Sequence, residues 1–167
     1  MNRWIKRIGW LFVILGICIG VLVATGLYVG EQRKLRKMDV PVEAVALRED
    51  AATVERGGYL YGSRGCVDCH GKNGGGATLA DDGKGLKLAG PNITKGNPRI
   101  AAYQPIDWVR SIRHGVGSDR RVLRLMPSED YNRLTDQDLA SIVAYVRQLA
   151  ASQAMSREPS NCRFPAA

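Results

Sequence analysis

Apolar side chains run without a charged residue from Ile8 to Gly30, a stretch of 23 residues. Such a run is long enough to cross a bilayer as one helix with some tilt. Trp4 and Trp10 stand near one end and Tyr28 near the other, where interfacial aromatic rings anchor a span. A cleaved secretory signal is the rival reading. Arg3, Lys6 and Arg7 would form its basic region, and Ala24-Thr25-Gly26 a small-residue cleavage site. The length of the run and the placement of the aromatics favour a retained anchor.

After this run the pattern becomes helical and interrupted. Asp50 is a candidate cap for a helix from about Ala51 to Arg64 that carries Val54, Gly58, Leu60 and Tyr61. Pro105 suits a first helical position and Gly115 a stop, which predicts a short helix from Pro105 to Arg113 with Trp108 and Ile112 on one face. Leu139, Ile142, Val143, Val146 and Leu149 recur at helical spacing, and Thr135 with Asp138 resembles a capping box. The last helix is therefore expected over about Asp136–Ala151. Residues 71–96 hold eight glycines and read as loop. No strand period emerges, so the expected class is all-α. The predicted organisation is residues 1–7 before the membrane, 8–30 as anchor, 31–50 as a basic juxtamembrane linker, 51–152 as one domain and 153–167 as a flexible tail.

Charge narrows the partners. Of the 24 Lys and Arg, seven lie in residues 1–37 with one Glu, whereas residues 38–167 carry 17 basic and 15 acidic side chains. The net charge of +8 therefore belongs mostly to the flanks of the apolar run. A basic stripe with interleaved aromatics is missing, which argues against a nucleic-acid partner. The flanking clusters suit the anionic headgroups of membrane lipid. Because they sit on both sides, charge alone does not orient the span.

Chemistry concentrates in Cys66-Val67-Asp68-Cys69-His70. This is C-x-x-C-H, the attachment signature of a covalent c-type haem. Two thiols form thioethers with the haem vinyl groups, and the adjacent imidazole becomes the proximal iron ligand. A thioredoxin-like pair would accompany a βαβ pattern, and a zinc site needs a second ligand pair; neither is visible. Met126, followed by Pro127 in a loop nine residues before the last helix cap, is the candidate sixth ligand. His114 is the other histidine and the bis-histidine alternative. An open distal position would mean sensing or peroxidase-like chemistry. Gly83-Lys84-Gly85 lacks the Gly-Lys-Ser/Thr ending of a phosphate loop. Cys18 follows bulky Ile17, which makes it a poor lipidation site and a better apolar filler. Cys162 has no partner in this scheme and is free for an intermolecular disulfide.

With these residues in hand, the soluble part resembles class I c-type cytochromes over roughly residues 50–152. The resemblance rests on Cys66–His70, Gly90-Pro91-Asn92, Arg113-His114-Gly115-Val116, Met126-Pro127 and the final helix from Leu134-Thr135-Asp136 to Ala144-Tyr145-Val146. It is strongest toward monohaem domains in cytochrome subunits of periplasm-facing dehydrogenase complexes. Such subunits usually carry several haems, and this chain has one motif. The resemblance implies a cytochrome c fold around one haem c held through Cys66 and Cys69, with His70 and Met126 on the iron. It implies that the Pro91 carbonyl accepts a hydrogen bond from His70 Nδ1–H, and that Gly57, Gly58 and Tyr145 join the first and last helices. The single-pass anchor lies outside the family's core, and its orientation follows from the haem. Proteins bearing this motif receive it on the outer side of the bacterial inner membrane, so the expected N-terminus is cytoplasmic and the domain periplasmic. The expected role is non-catalytic one-electron transfer between redox proteins, such as a dehydrogenase and a terminal oxidase. A haem subunit fixed in such a complex is the alternative.

Overall fold

The computed structural model describes residues 3–152. The 153–167 segment, with Met155 and Cys162, lies outside the described residues. The chain divides into two units, one reaching to Met38 and one starting at Asp39.

The first unit is one helix, α1, Arg3–Leu35. It extends past the charge-free run on both sides and buries none of its residues. Three of its polar side chains are satisfied locally. Thr25 donates its hydroxyl to the Val21 carbonyl at 2.8 Å, and Lys34 pairs with Glu31 at 3.1 Å. The helix has the length and hydropathy of a membrane span, a property shared by signal sequences near an N-terminus.

The second unit is built on two helices that cross. α2, Ala51–Ser63, starts at Asp50, whose carboxylate accepts from the Thr53 amide at 3.0 Å and the Thr53 hydroxyl at 2.8 Å. α7, Asp136–Gln148, starts at Thr135, whose hydroxyl accepts from the Asp138 amide at 3.1 Å. Asp138 itself turns across the interface to Arg56 at 2.6 Å. Glycine makes the crossing close. A Cβ on Gly57 would fall 1.9 Å from the Ser141 carbonyl oxygen, and one on Gly58 would meet the Tyr145 ring at 3.1 Å. The Tyr61 and Tyr145 rings meet nearby with centroids 5.4 Å apart.

Against α7 lies α5, Pro105–His114, with Trp108, Val109 and Ile112 buried beside Leu139 and Val143. Asp107 accepts from the Gln104 amide at 3.0 Å at its start, and Gly115 ends it at φ 61°. Trp108 packs edge-on against Tyr103, with ring centroids 5.2 Å apart. Residues 39–50 form neither helix nor strand, yet Val45 is buried in the core and Val42 and Leu47 pack on it.

The glycine-rich region differs from the expected plain loop. It forms an antiparallel hairpin of β1, Ala77–Asp81, and β2, Lys87–Gly90, with an irregularity between Thr78 and Ala80. Its tip is closed by Asp82, whose carboxylate accepts from the Lys84 and Leu86 amides at 2.8 and 2.9 Å. The strands are short, β1 is exposed but for Ala77 and β2 is mostly half-buried, so no alternation of apolar and polar positions marks them. The remaining helices are short: α3, Cys66–His70, α4, Pro98–Ala101, and α6, Ser128–Tyr131. The molecule is thus mostly helical, with one small two-stranded sheet among the described residues.

Candidate haem site

The Cys66–His70 motif is itself a short helix. Gly65, at φ 79°, turns the chain out of α2 and starts it. Cys66 and Cys69 are three apart on this turn and share a face. Both are half-buried, as is His70. Burial pushes the Cys66 thiol up to about 11, with the nearby Cys69 adding to the shift. The unmodified thiol is therefore protonated at neutral pH.

Two tyrosine hydroxyls hold the ends of this motif. Tyr131 donates to the Arg64 carbonyl at 3.0 Å, just before it, and Tyr61 donates to the Gly71 carbonyl at 2.7 Å, just after it. Neither tyrosine is a site residue that the sequence predicts. Tyr61 is legible there only as an apolar helix position, and nothing local in the sequence marks Tyr131.

Pro91 follows β2 and reaches the motif because glycine clears its path. A Cβ on Gly90 would lie 1.8 Å from the Cys69 carbonyl oxygen, and one on Gly76 would lie 2.6 Å from the Gly90 carbonyl oxygen. With that approach, His70 Nδ1 sits 2.9 Å from the Pro91 carbonyl oxygen. A carbonyl only accepts, so Nδ1 carries the proton and Nε2 keeps the lone pair. Burial pulls the His70 pKa below its usual 6.5, and the bond to Pro91 opposes that shift. The balance favours a neutral imidazole with one free ligating nitrogen.

Met126 is half-buried and packs on the same core cluster as Cys66. It lines an open cavity of about 350 Å³ along the loop before α6. His114 lines that cavity too, exposed at the end of α5, while Cys66, Cys69 and His70 do not. No other metal centre competes: among the described residues no group of three His, Cys, Asp or Glu side chains converges on a point. Two thiols three apart and a neutral imidazole with an unprotonated Nε2 are groups of the kind that suit a c-type haem.

The sequence profile described as Cytochrome c matches residues 54–150. The chain belongs to the cytochrome c family. Within it, the chain is 30% identical over 115 residues to the fructose dehydrogenase cytochrome subunit of Gluconobacter japonicus, covering 64% of this chain and 23% of that relative. It is 31% identical over 132 residues to the gluconate 2-dehydrogenase cytochrome c subunit of Pantoea cypripedii, covering 72% of this chain and 29% of that relative. The match thus spans under a third of each relative's length. No solved structure gives a significant match. The cofactor of this cytochrome c is covalent haem c with its iron, and Cys66 and Cys69 have the spacing of its attachment motif. A cytochrome c domain transfers electrons through that haem, and both relatives are named as cytochrome subunits of dehydrogenases.

Proposed function

We propose that this cytochrome c is a single-haem electron carrier anchored by α1, with His70 and Met126 filling both axial positions of the iron. The observation that carries this reading is the 2.9 Å contact from His70 Nδ1 to the Pro91 carbonyl. It leaves one lone pair for iron and raises the basicity of that ligand. The core-facing thioether of Met126 supports the second ligand. When bound, the haem supplies a one-electron Fe(III)/Fe(II) couple, and methionine ligation sets that couple high for haem. His70 and Met126 would hold the iron, and the Pro91 carbonyl fixes the tautomer of His70.

In this reading the N-terminus is cytoplasmic, and the haem domain faces the periplasm above the inner membrane. The tether raises the effective concentration of the haem domain near membrane partners. The donor is a periplasm-facing dehydrogenase, a reading supported by two relatives named as cytochrome subunits of a fructose and a gluconate dehydrogenase. The acceptor is a terminal oxidase or another membrane redox protein. Those same relatives favour a second arrangement, in which the chain is a fixed subunit of a dehydrogenase complex.

Membrane fractionation tests the anchor. The haem-stained protein is expected in the pellet after a high-salt wash, released by detergent and digested by protease added from the periplasmic side. A haem domain in the soluble fraction, or one shielded from that protease, contradicts the arrangement. Purification in mild detergent then separates carrier from subunit: a stoichiometric dehydrogenase partner makes the chain a subunit.

A further inference from the structure

A buried polar network stands directly behind the contact to His70. Asn92 is 2% exposed and Thr94 is fully buried. Buried amides and hydroxyls are costly unless paired, and here every polar atom of both side chains is used. The Asn92 Oδ1 accepts from the Thr94 amide at 2.8 Å and the Thr94 hydroxyl at 2.7 Å. The Asn92 amide Nδ2 donates to the Ser152 carbonyl. Thr94 Oγ1 in turn accepts from the Ser152 amide at 2.9 Å and the Gly96 amide at 3.2 Å. The Asn92 carbonyl is taken by Asn97 Nδ2 at 2.8 Å.

Glycines shape a seat for the chain that leaves α7. A Cβ on Gly74 would lie 2.7 Å from Leu149 Cδ1, and one on Gly75 would lie 2.5 Å from Ser152 Oγ. One on Gly96 would lie 2.1 Å from the Ser152 carbonyl oxygen. The end of the last helix is therefore locked into the segment that carries Pro91.

We propose that Asn92, Thr94 and Ser152 form a clamp that fixes the Pro91 carbonyl on His70 Nδ1 and so sets the haem reduction potential. The mechanism follows from the planarity of the peptide. The Pro91 carbonyl and the Asn92 nitrogen belong to one rigid unit. Holding Asn92 by its side chain and its own carbonyl therefore holds the Pro91 oxygen in place. A firm bond to Nδ1–H makes Nε2 a better donor, which stabilises Fe(III) over Fe(II) and keeps the potential lower than methionine ligation alone would set it. Asn92, Thr94 and Ser152 touch neither iron nor haem in this account; they are positioning residues. The proposal deepens the reading of His70 as iron ligand and rests on it.

Thr94→Val tests the clamp on the full haem-loaded chain, because it keeps the shape and removes the hydroxyl. The expected result is an upward shift of the midpoint potential with the Met126 ligation band retained. The Nδ1 proton resonance of His70 is expected to move upfield. Thr94→Ser, which restores the hydroxyl, is expected to return both readouts to the parent values. Val143→Ala in α7 is expected to lower stability and leave the potential in place. A Thr94→Val protein that loses stability while its potential and Nδ1 resonance stay put overturns the clamp. Should Thr94→Val fail to mature, Asn97→Ser carries the test, since it keeps a helix cap and drops the donor to the Asn92 carbonyl. There a smaller upward shift is expected, and an unmoved potential overturns the proposal. Carbon monoxide binding by the parent protein would remove Met126 from the iron, yet the clamp would still be read from the difference between variant and parent.

Discussion

Gly57 lies so close to Ser141 that a methyl group on the glycine would fall 1.9 Å from the serine carbonyl oxygen. The contact joins α2, which leads into the haem motif, to α7, which closes the domain. Gly57→Ala is expected to destabilise the haem-loaded domain by about 3 kcal/mol or more, the upper end for forced overpacking. Gly62, later in the same helix, has open space where a methyl group would stand, with nothing within 4 Å. Gly62→Ala is expected to cost nothing, or to stabilise by up to about 1 kcal/mol. Denaturant titration of both variants checks the contrast, and equal effects would contradict it.

Gly90 imposes the same kind of constraint on the site itself. Its missing side chain lets β2 lie on the Cys69 carbonyl and delivers Pro91 to His70. Gly90→Ala is expected to abolish covalent haem attachment in cells that carry the maturation machinery. Haem-stained gels read this directly, and a normally stained band would show that the approach is not needed.

The cap of α2 gives the domain an acid-sensitive element. Its two bonds from Thr53 hold the Asp50 carboxyl below the usual 3.8. A depressed folded-state pKa contributes stability above the unfolded value, and that contribution is lost as pH falls through the folded one. Asp50→Asn keeps a cap but removes the charge. The parent is expected to be the more stable of the two at pH 7, with the gap closing below about pH 4. Paired denaturation curves across that range test the sign, and a gap that widens on acidification contradicts it.

Much of this is legible in the sequence because the signals are local. The charge-free run from Ile8 to Gly30 marks α1, five residues from Cys66 to His70 mark the cofactor, and Thr135 marks the start of α7. The expected helix over Asp136–Ala151 stops earlier, at Gln148, because the chain then turns to place Ser152 on Thr94. That contact spans 58 positions and leaves no local trace. The hairpin is hidden for another reason: strands of five and four residues whose burial does not alternate carry no periodic signal. The four-residue helices α4 and α6 are likewise below the length at which period can be read. Tyr61, Tyr131 and Thr94 act on backbone groups that no local pattern ties to them, and Asn92, marked in the sequence by the Gly90-Pro91-Asn92 stretch, shows its bond to Ser152 only in the fold.

Met126 is the proposed sixth ligand of the iron. Met126→Ala is expected to open the sixth position, so that the reduced protein binds carbon monoxide. It is also expected to lower the midpoint potential by on the order of 0.1 V, within the roughly 0.8 V range that axial ligands set. His114→Ala is expected to change neither property. The reverse pattern would move the sixth ligand to His114.

A carrier requires a haem iron closed on both faces. The absorption spectrum of the dithionite-reduced parent protein, recorded before and after carbon monoxide, tests it most directly. An unchanged Soret band is the predicted result and means that both axial positions are filled. A rapid Soret shift would mean a vacant or labile distal site, and the carrier reading would give way to ligand sensing or peroxide chemistry.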